Sequence, residues 1–195
     1  MNKKTLIILG IILIAVIYSV KIYNGMVQFE ETVKEKWSQV ENVYQRRLDL
    51  IPNLVNTVKG YATHEKETFL EVTEARAKAG GTLKMSDKML NDPAMFQKFQ
   101  QAQSSLSSAL QRLMVVVEKY PDLKANQNFL ALQDQLEGTE NRIAVERKRF
   151  NEAARNYNIY IKTFPKVMYA RMFGFEKKMY FESDQGAEEA PKVEF

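Results

Sequence analysis

The chain has no cysteine, one histidine and one tryptophan among its 195 residues. Without cysteine there is no disulfide, no thiol nucleophile and no thiolate metal site, which is compatible with either side of a membrane. The single histidine, His64, lies in Ala62-Thr63-His64-Glu65-Lys66 with no His-Glu-x-x-His pattern to complete a zinc site. It reads as a surface or interface residue. The eight glycines form neither GxGxxG nor GxxxxGK[ST], so no glycine loop can cradle a phosphate. Ser104, Ser105, Ser107 and Ser108 lie in a helix-period run without a glycine-flanked elbow, and are expected as a small-residue packing face. Carboxylates such as Glu140 and Glu146 stand among other charges and are expected to be solvated. These patterns describe no enzyme, no cofactor and no metal.

One-sided charge is also missing. The formal net charge is +4, but basic and acidic residues interleave almost everywhere, as in Glu30, Glu31, Lys34, Glu35 and Lys36, or Glu140, Arg142, Glu146 and Arg147. That is the pattern of a solvated helix face and argues against a nucleic-acid partner.

What is present begins at the N-terminus. After Lys3 and Lys4, sixteen residues from Thr5 to Val20 carry no charge. Ile22 and Tyr23 extend the run once the stem of Lys21 snorkels, so residues 5–23, behind a flank of residues 1–4, can cross a bilayer. Leu6, Ile7, Ile8, Leu9, Ile11, Ile12, Leu13, Ile14, Val16 and Ile17 are its lipid-facing candidates. The residues after Ala15 offer no small-x-small cleavage site, which favours a retained anchor over a cleaved signal. The free amino terminus, Lys3 and Lys4 outweigh Lys21, so the positive-inside rule places the N-terminus in the cytoplasm and the following domain outside it.

Helical periodicity dominates the rest. Alternate steps of four and three from Val33 reach Trp37, Val40, Tyr44, Arg47, Ile51, Leu54, Val58 and Tyr61, with eight of nine positions apolar or aromatic. Phe96, Phe99, Gln103, Leu106, Leu110, Leu113, Val117 and Tyr120 form a second run. A third is Phe129, Leu132, Leu136, Thr139, Ile143, Glu146, Phe150, Ala153, Tyr157, Tyr160 and Phe164. Sustained 3.5-residue spacing predicts helices packed at shallow angles. The expected fold is all-α, a transmembrane helix followed by an elongated, up-and-down antiparallel, four-helix-like bundle over residues 24–165. Gly80-Gly81 is expected to end the first long helix, which begins near residue 26. Asp92-Pro93 should start the next, and Tyr120-Pro121-Asp122 should turn the corner before a helix from about residue 123 that Pro165 closes. Pro52 should kink its helix without ending it.

Arg47 and Glu146 occupy apolar seams on two different helices, where an unpartnered charge is costly. They are expected either to reach the bundle edge or pair with each other, fixing the register, or to face a cavity or an oligomer interface. Residues 166–182 change character: Tyr169, Phe173, Phe175, Tyr180 and Phe181 stand among Arg171, Lys177 and Lys178. Two readings stand, aromatics that cover the bundle end or an exposed patch for a partner or the lipid surface. Residues 183–195 form an acidic tail whose terminal hydrophobics could dock.

Several motifs carry a resemblance to a known family. They are Trp37-Ser38-Gln39-Val40, Arg46-Arg47-Leu48-Asp49-Leu50-Ile51-Pro52-Asn53-Leu54-Val55, Val58-Lys59-Gly60-Tyr61-Ala62-Thr63-His64-Glu65 and Tyr120-Pro121-Asp122-Leu123-Lys124-Ala125-Asn126. Gln135-Leu136-Glu137-Gly138-Thr139-Glu140-Asn141-Arg142-Ile143-Ala144, Phe150-Asn151, Tyr157-Asn158, Phe164-Pro165, Gly174-Phe175 and Pro191-Lys192-Val193-Glu194-Phe195 continue the set. Across nearly the whole chain, the sequence resembles the LemA family. The family's Arg-Arg-Tyr-Asp-Leu reads Arg46-Arg47-Leu48-Asp49-Leu50 here, and Phe150 replaces the tyrosine of a Tyr-Asn pair. The resemblance implies a bacterial single-pass membrane protein with a helical bundle and no catalysis. It also implies a cell-envelope setting, sometimes beside a membrane metalloprotease, with one branch serving magnetosome membrane formation. Family descriptions place the short N-terminus outside the cell, opposite to the charge argument. The leading functional expectation is a membrane-anchored, self-associating scaffold or adaptor for other envelope proteins. A sensory module and an oligomeric membrane organiser are the alternatives.

Overall fold

A computed structural model of the chain describes residues 2–83 and 89–182, so the acidic tail expected over residues 183–195 lies outside the described residues. Among the described residues six helices follow one another: α1 (Lys3–Lys59), α2 (Lys66–Leu83), α3 (Pro93–Val117), α4 (Pro121–Lys124), α5 (Gln127–Lys162) and α6 (Lys166–Phe173). There is no strand among the described residues. At about 1.5 Å per residue, α1 is roughly 85 Å long and α5 roughly 54 Å. α1, α2, α3 and α5 form an up-down-up-down bundle, and α4 is one turn in the α3–α5 corner.

Most of the seam positions expected from the sequence form the core, but Tyr61 and Phe164, the last positions of the first and third runs, are exposed, and Tyr120, Leu132, Glu146 and Tyr160 are half-buried. Val33, Trp37, Val40, Tyr44, Arg47, Ile51, Leu54 and Val58 are all buried, as are Phe96 to Val117 at the matching positions of α3. Burial of these stripes, at about 25 cal/mol per Å² of apolar surface, is what holds the helices together. α5 runs antiparallel to α1 in a register readable from three contacts. Trp37 meets Phe150, Arg47 meets Glu140, and Tyr61 meets Asn126. Each advance along α1 is matched by an equal retreat along α5. At the lower end the two helices approach closely at Gly25, where a Cβ would clash with the hydroxyl of Tyr160. Any larger residue there overpacks the crossing.

Two boundaries differ from expectation. The first long helix does not run to residue 79: α1 stops at Lys59, and the Ala62 amide closes a turn on the Val58 carbonyl at 2.9 Å. α2 then folds back along α1, where Arg76 Nε donates to the Leu48 carbonyl at 2.7 Å. A straight continuation would leave Phe69, Val72, Ala75 and Ala79 in water, and folding back buries all four. Gly80-Gly81 does not end a helix either. α2 continues to Leu83, and Gly80 lies against Leu48, where a Cβ would sit 3.5 Å from Leu48 Cδ1.

The capping chemistry follows the sequence more closely. Asp92 accepts from the amides of Ala94 and Met95, with Pro93 in the first turn of α3. After α4, Asn126 caps α5 in the same way through the amides of Asn128 and Phe129, so the restart comes at Gln127, four residues later than Leu123. α1 passes through Pro52, which is exposed. The four serines of α3 are not a packing face. Ser104, Ser105 and Ser108 are exposed and only Ser107 is half-buried, because Leu106, Ala109 and Leu110 take the inward positions. His64 is exposed in the α1–α2 turn.

Candidate functional site

The lower end of the bundle brings together most of the residues singled out from sequence. α1 enters it from a segment that nothing covers: Leu6, Ile7, Ile8, Leu9, Ile11, Ile12, Leu13, Ile14, Val16 and Ile17 are each between 50% and 68% exposed. Sixteen uncharged residues, all exposed but Ser19, are long and apolar enough to be a candidate membrane span. Burial begins at Ile22 and is complete at Met26.

α6 lies across this exit. α5 ends at Lys162, and Phe164-Pro165 turns the chain into Lys166–Phe173, which packs against the side of α1. Tyr169 Oη is 2.9 Å from Ser19 Oγ, and Phe173 meets Tyr23 edge-on with centroids 5.0 Å apart. Gly174 ends the helix at φ 76°, a left-handed conformation that a side chain disfavours, and its amide caps the Ala170 carbonyl.

From Phe175 the chain is extended and returns up the bundle as a strap against α5 and the start of α3. Two asparagines clip it. Asn158 accepts from the Lys178 amide and donates to the Lys178 carbonyl, both at 2.9 Å. Asn151 does the same to the amide and carbonyl of Phe181, again at 2.9 Å. Each amide side chain thus stands in for a β-sheet partner. Seven helical residues rise roughly 10 Å, about the length of three extended residues, so Asn151 and Asn158 match Phe181 and Lys178. The repeated aromatic-Asn pair, Phe150-Asn151 and Tyr157-Asn158, was the signal in the sequence, but its role needs a strap that sequence periodicity does not place.

The strap closes the core. Phe181 is 6% exposed and sits among Trp37, Phe96, Phe99 and Phe150, stacked on Trp37 at 6.0 Å. Arg147 covers it, with the guanidinium 4.7 Å from the ring centroid. Lys178 is also buried, donating to Glu30 Oε1 at 2.7 Å and Asn91 Oδ1 at 2.9 Å. The ring of Tyr157 lies 5.4 Å from that ammonium. Burial, with Glu30 and Glu176 nearby, pushes the Tyr157 phenol above its ordinary range.

The candidate patch therefore divides. Lys178 and Phe181 point into the bundle, Tyr169, Phe175 and Tyr180 are half-buried, and Arg171, Phe173 and Lys177 are exposed. Lys178 and Phe181 cannot meet a partner in this arrangement, because each completes a buried contact that the four helices leave open.

A second charged layer lies higher up. Arg47, 2% exposed, donates through Nη1 to Glu140 at 2.9 Å and Ser107 Oγ at 3.1 Å, and through Nη2 to the side chain of Gln103. The expected pair with Glu146 does not form. In the antiparallel register Arg47 lies level with Glu140, and Glu146 is engaged by Arg149 at 2.7 Å. Above Arg47, α3 and α5 splay to form an open groove of about 630 Å³, lined by Leu110, Met114, Val115 and Leu136 with Gln111 and Glu137 at its rim. Among the described residues no group of three or more His, Asp or Glu side chains could hold a metal.

A candidate membrane helix running directly into an all-helical bundle defines a membrane-associated helical protein. Residues 36–195 match the model described as "LemA family", and the chain belongs to that family. Its relatives include "Magnetosome protein MamQ" of Magnetospirillum gryphiswaldense, 29% identical over 174 residues, covering 82% of this chain and 64% of the relative. "Magnetosome protein MamQ 2" of Paramagnetospirillum magneticum is 30% identical over 175 residues, with the same coverage. "Protein LemA" of Metamycoplasma hominis is 24% identical over 165 residues, covering 84% of this chain and 71% of the relative. The chain thus spans slightly less than two thirds of the length of the MamQ relatives it matches.

Proposed function

We propose that this protein is a non-catalytic scaffold of the bacterial cell envelope, anchored by residues 5–23 and presenting its bundle, outside the cytoplasm, to copies of itself and to other envelope proteins. The observation that carries this reading is the continuity of α1. One helix forms both the apolar segment and the central seam of the bundle, so the domain is coupled to its anchor without a hinge. The groove between α3 and α5 supports it as a surface for a partner helix, since Leu110, Met114, Val115 and Leu136 present an apolar stripe between polar rims. Arg171, Phe173 and Lys177 form a second exposed surface, beside the exit of α1.

Native mass spectrometry of the full chain in lipid nanodiscs tests this reading. Discrete homo-oligomers are the expected result. A strict monomer that retains a co-purified small molecule would instead support a sensory module.

A further inference from the structure

The outer face of α6 has no partner in the fold. Met168 and Met172, four residues apart and therefore on one helix face, are 63% and 66% exposed. Phe164, at the corner just before them, is 77% exposed, and Phe173 is 49% exposed. A run of large apolar side chains facing water at the end of a well-packed bundle marks an interaction surface. Its inner face is committed: Ala170 is buried, and Tyr169 and Phe173 hold Ser19 and Tyr23 of α1.

Those contacts also fix its height. Ser19 and Tyr23 bracket the last uncharged residue of the apolar segment, Val20, so α6 lies beside the point where α1 leaves its candidate span. The surrounding charge is cationic. Lys21, Lys162, Arg171 and Lys177 are exposed around α6, Lys166 is half-buried against the Tyr160 ring at 3.7 Å, and Glu176 is the nearby exposed acid. Tyr18 and Tyr23, 47% and 41% exposed, add amphipathic rings at the same level. Apolar side chains, aromatic rings and lysines together at one depth are what an interfacial helix presents to headgroups and upper acyl chains. Basic residues at that depth are drawn to an anionic membrane surface.

We infer that α6 and the Phe164–Pro165 corner form a lipid-facing foot, with Phe164, Met168 and Met172 inserted in the interface of the bilayer that α1 crosses and the surrounding basic residues on anionic headgroups. The foot rests on the reading of residues 5–23 as an anchor and adds a second attachment beside the first. With a second attachment beside the exit of α1, the foot sets the tilt of the bundle and limits its rotation about α1.

The full chain in phosphatidylglycerol/phosphatidylcholine vesicles, with lipids brominated midway along their acyl chains, provides the test. Trp37 is the single natural tryptophan, and it lies fifteen residues beyond Ile22, roughly 22 Å up the bundle, so its emission is an internal baseline. In M168W and M172W the added emission should fall about twofold or more relative to unbrominated vesicles. I12W should fall at least as far, and Trp37 alone should not change. Quenching in I12W with none in either α6 variant overturns the foot and leaves the anchor standing. No quenching in any of the three overturns both. Both α6 positions are exposed, so neither tryptophan disturbs the core. Adding K166Q and R171Q to M168W should weaken the quenching when phosphatidylglycerol is present and leave it unchanged in phosphatidylcholine alone. Equal quenching in both lipids would remove the headgroup contact from the proposal.

Discussion

Arg47 on α1 and Glu140 on α5 meet at 2.9 Å between Nη1 and Oε1, with the guanidinium buried and the carboxylate 40% exposed. The pair bridges core and solvent: Gln103 and Ser107 of α3 accept from the two Nη groups of Arg47 on the inner side, and Glu140 accepts from Nη1 on the outer side. A cation in this position favours one antiparallel register of α1 and α5 over neighbouring ones, because a shift of either helix by a turn strands it.

E140Q keeps the shape of the site and removes the opposing charge. It should lower stability by about 1–3 kcal/mol in chemical denaturation. A double-mutant cycle between Arg47 and Glu140 should give a coupling above about 0.5 kcal/mol, whereas a cycle between Arg47 and Glu146 should be additive. Coupling to Glu146 of the same size would mean that the register in membranes differs from the one described.

The strap is expected to be structural. F181A removes the ring that fills the space between Trp37, Phe96 and Phe150, and should cost about 3–5 kcal/mol. N158A leaves both backbone groups of Lys178 without their partner, at about 1–3 kcal/mol. In hydrogen exchange, amide protection at Lys178 should fall in N158A, and protection at Phe181 should fall in N151A. Unchanged protection would show that the strap is held by its side chains alone.

Tyr157 makes stability depend on alkaline pH. Its phenol, raised by burial and then by the charges of Glu30 and Glu176, holds its proton above the unfolded value of 10.0. Above that value the unfolded chain releases a proton that the folded chain keeps. The contribution is therefore complete below about pH 10 and declines as pH rises beyond it. The thermal midpoint of the parent should fall more steeply than that of Y157F between about pH 9.5 and 11. Parallel curves would place the phenol in contact with water.

The proposed topology can be read from proteolysis. Lys124, Lys148 and Arg155 are exposed, and added trypsin should remove the bundle from intact cells if it stands outside the cytoplasm. Cleavage confined to lysed cells would reverse the orientation and agree with the placement that family descriptions give.

Much of the bundle was legible because its signal is local. The spacing of Val33 to Val58, Phe96 to Val117 and Phe129 to Tyr157 repeats with the helix, and Asp92-Pro93 announces a helix start through a side chain and its own next residues. The break at Gly60 was not legible in the same way. The apolar rhythm passes through Tyr61, and only the gain from packing Phe69 and Val72 against the rest of the bundle turns the chain there. The same holds for Glu140, which lies off the apolar seam that Glu146 occupies and becomes Arg47's partner only through the register of two helices.

The sequence by itself determined the apolar N-terminal segment, the all-helical class, the faces that must be buried and the absence of cysteine chemistry, since each follows from residue type and short-range spacing. The tertiary structure alone decided that residues 175–182 return along α5, that Phe181 and Lys178 face inward, and that Met168 and Met172 are left beside the exit of α1. Those outcomes depend on contacts between residues as far apart as Ser19 and Tyr169, or Glu30 and Lys178. No periodicity within one segment encodes such contacts, because their energy exists only when the other helices already form the surface.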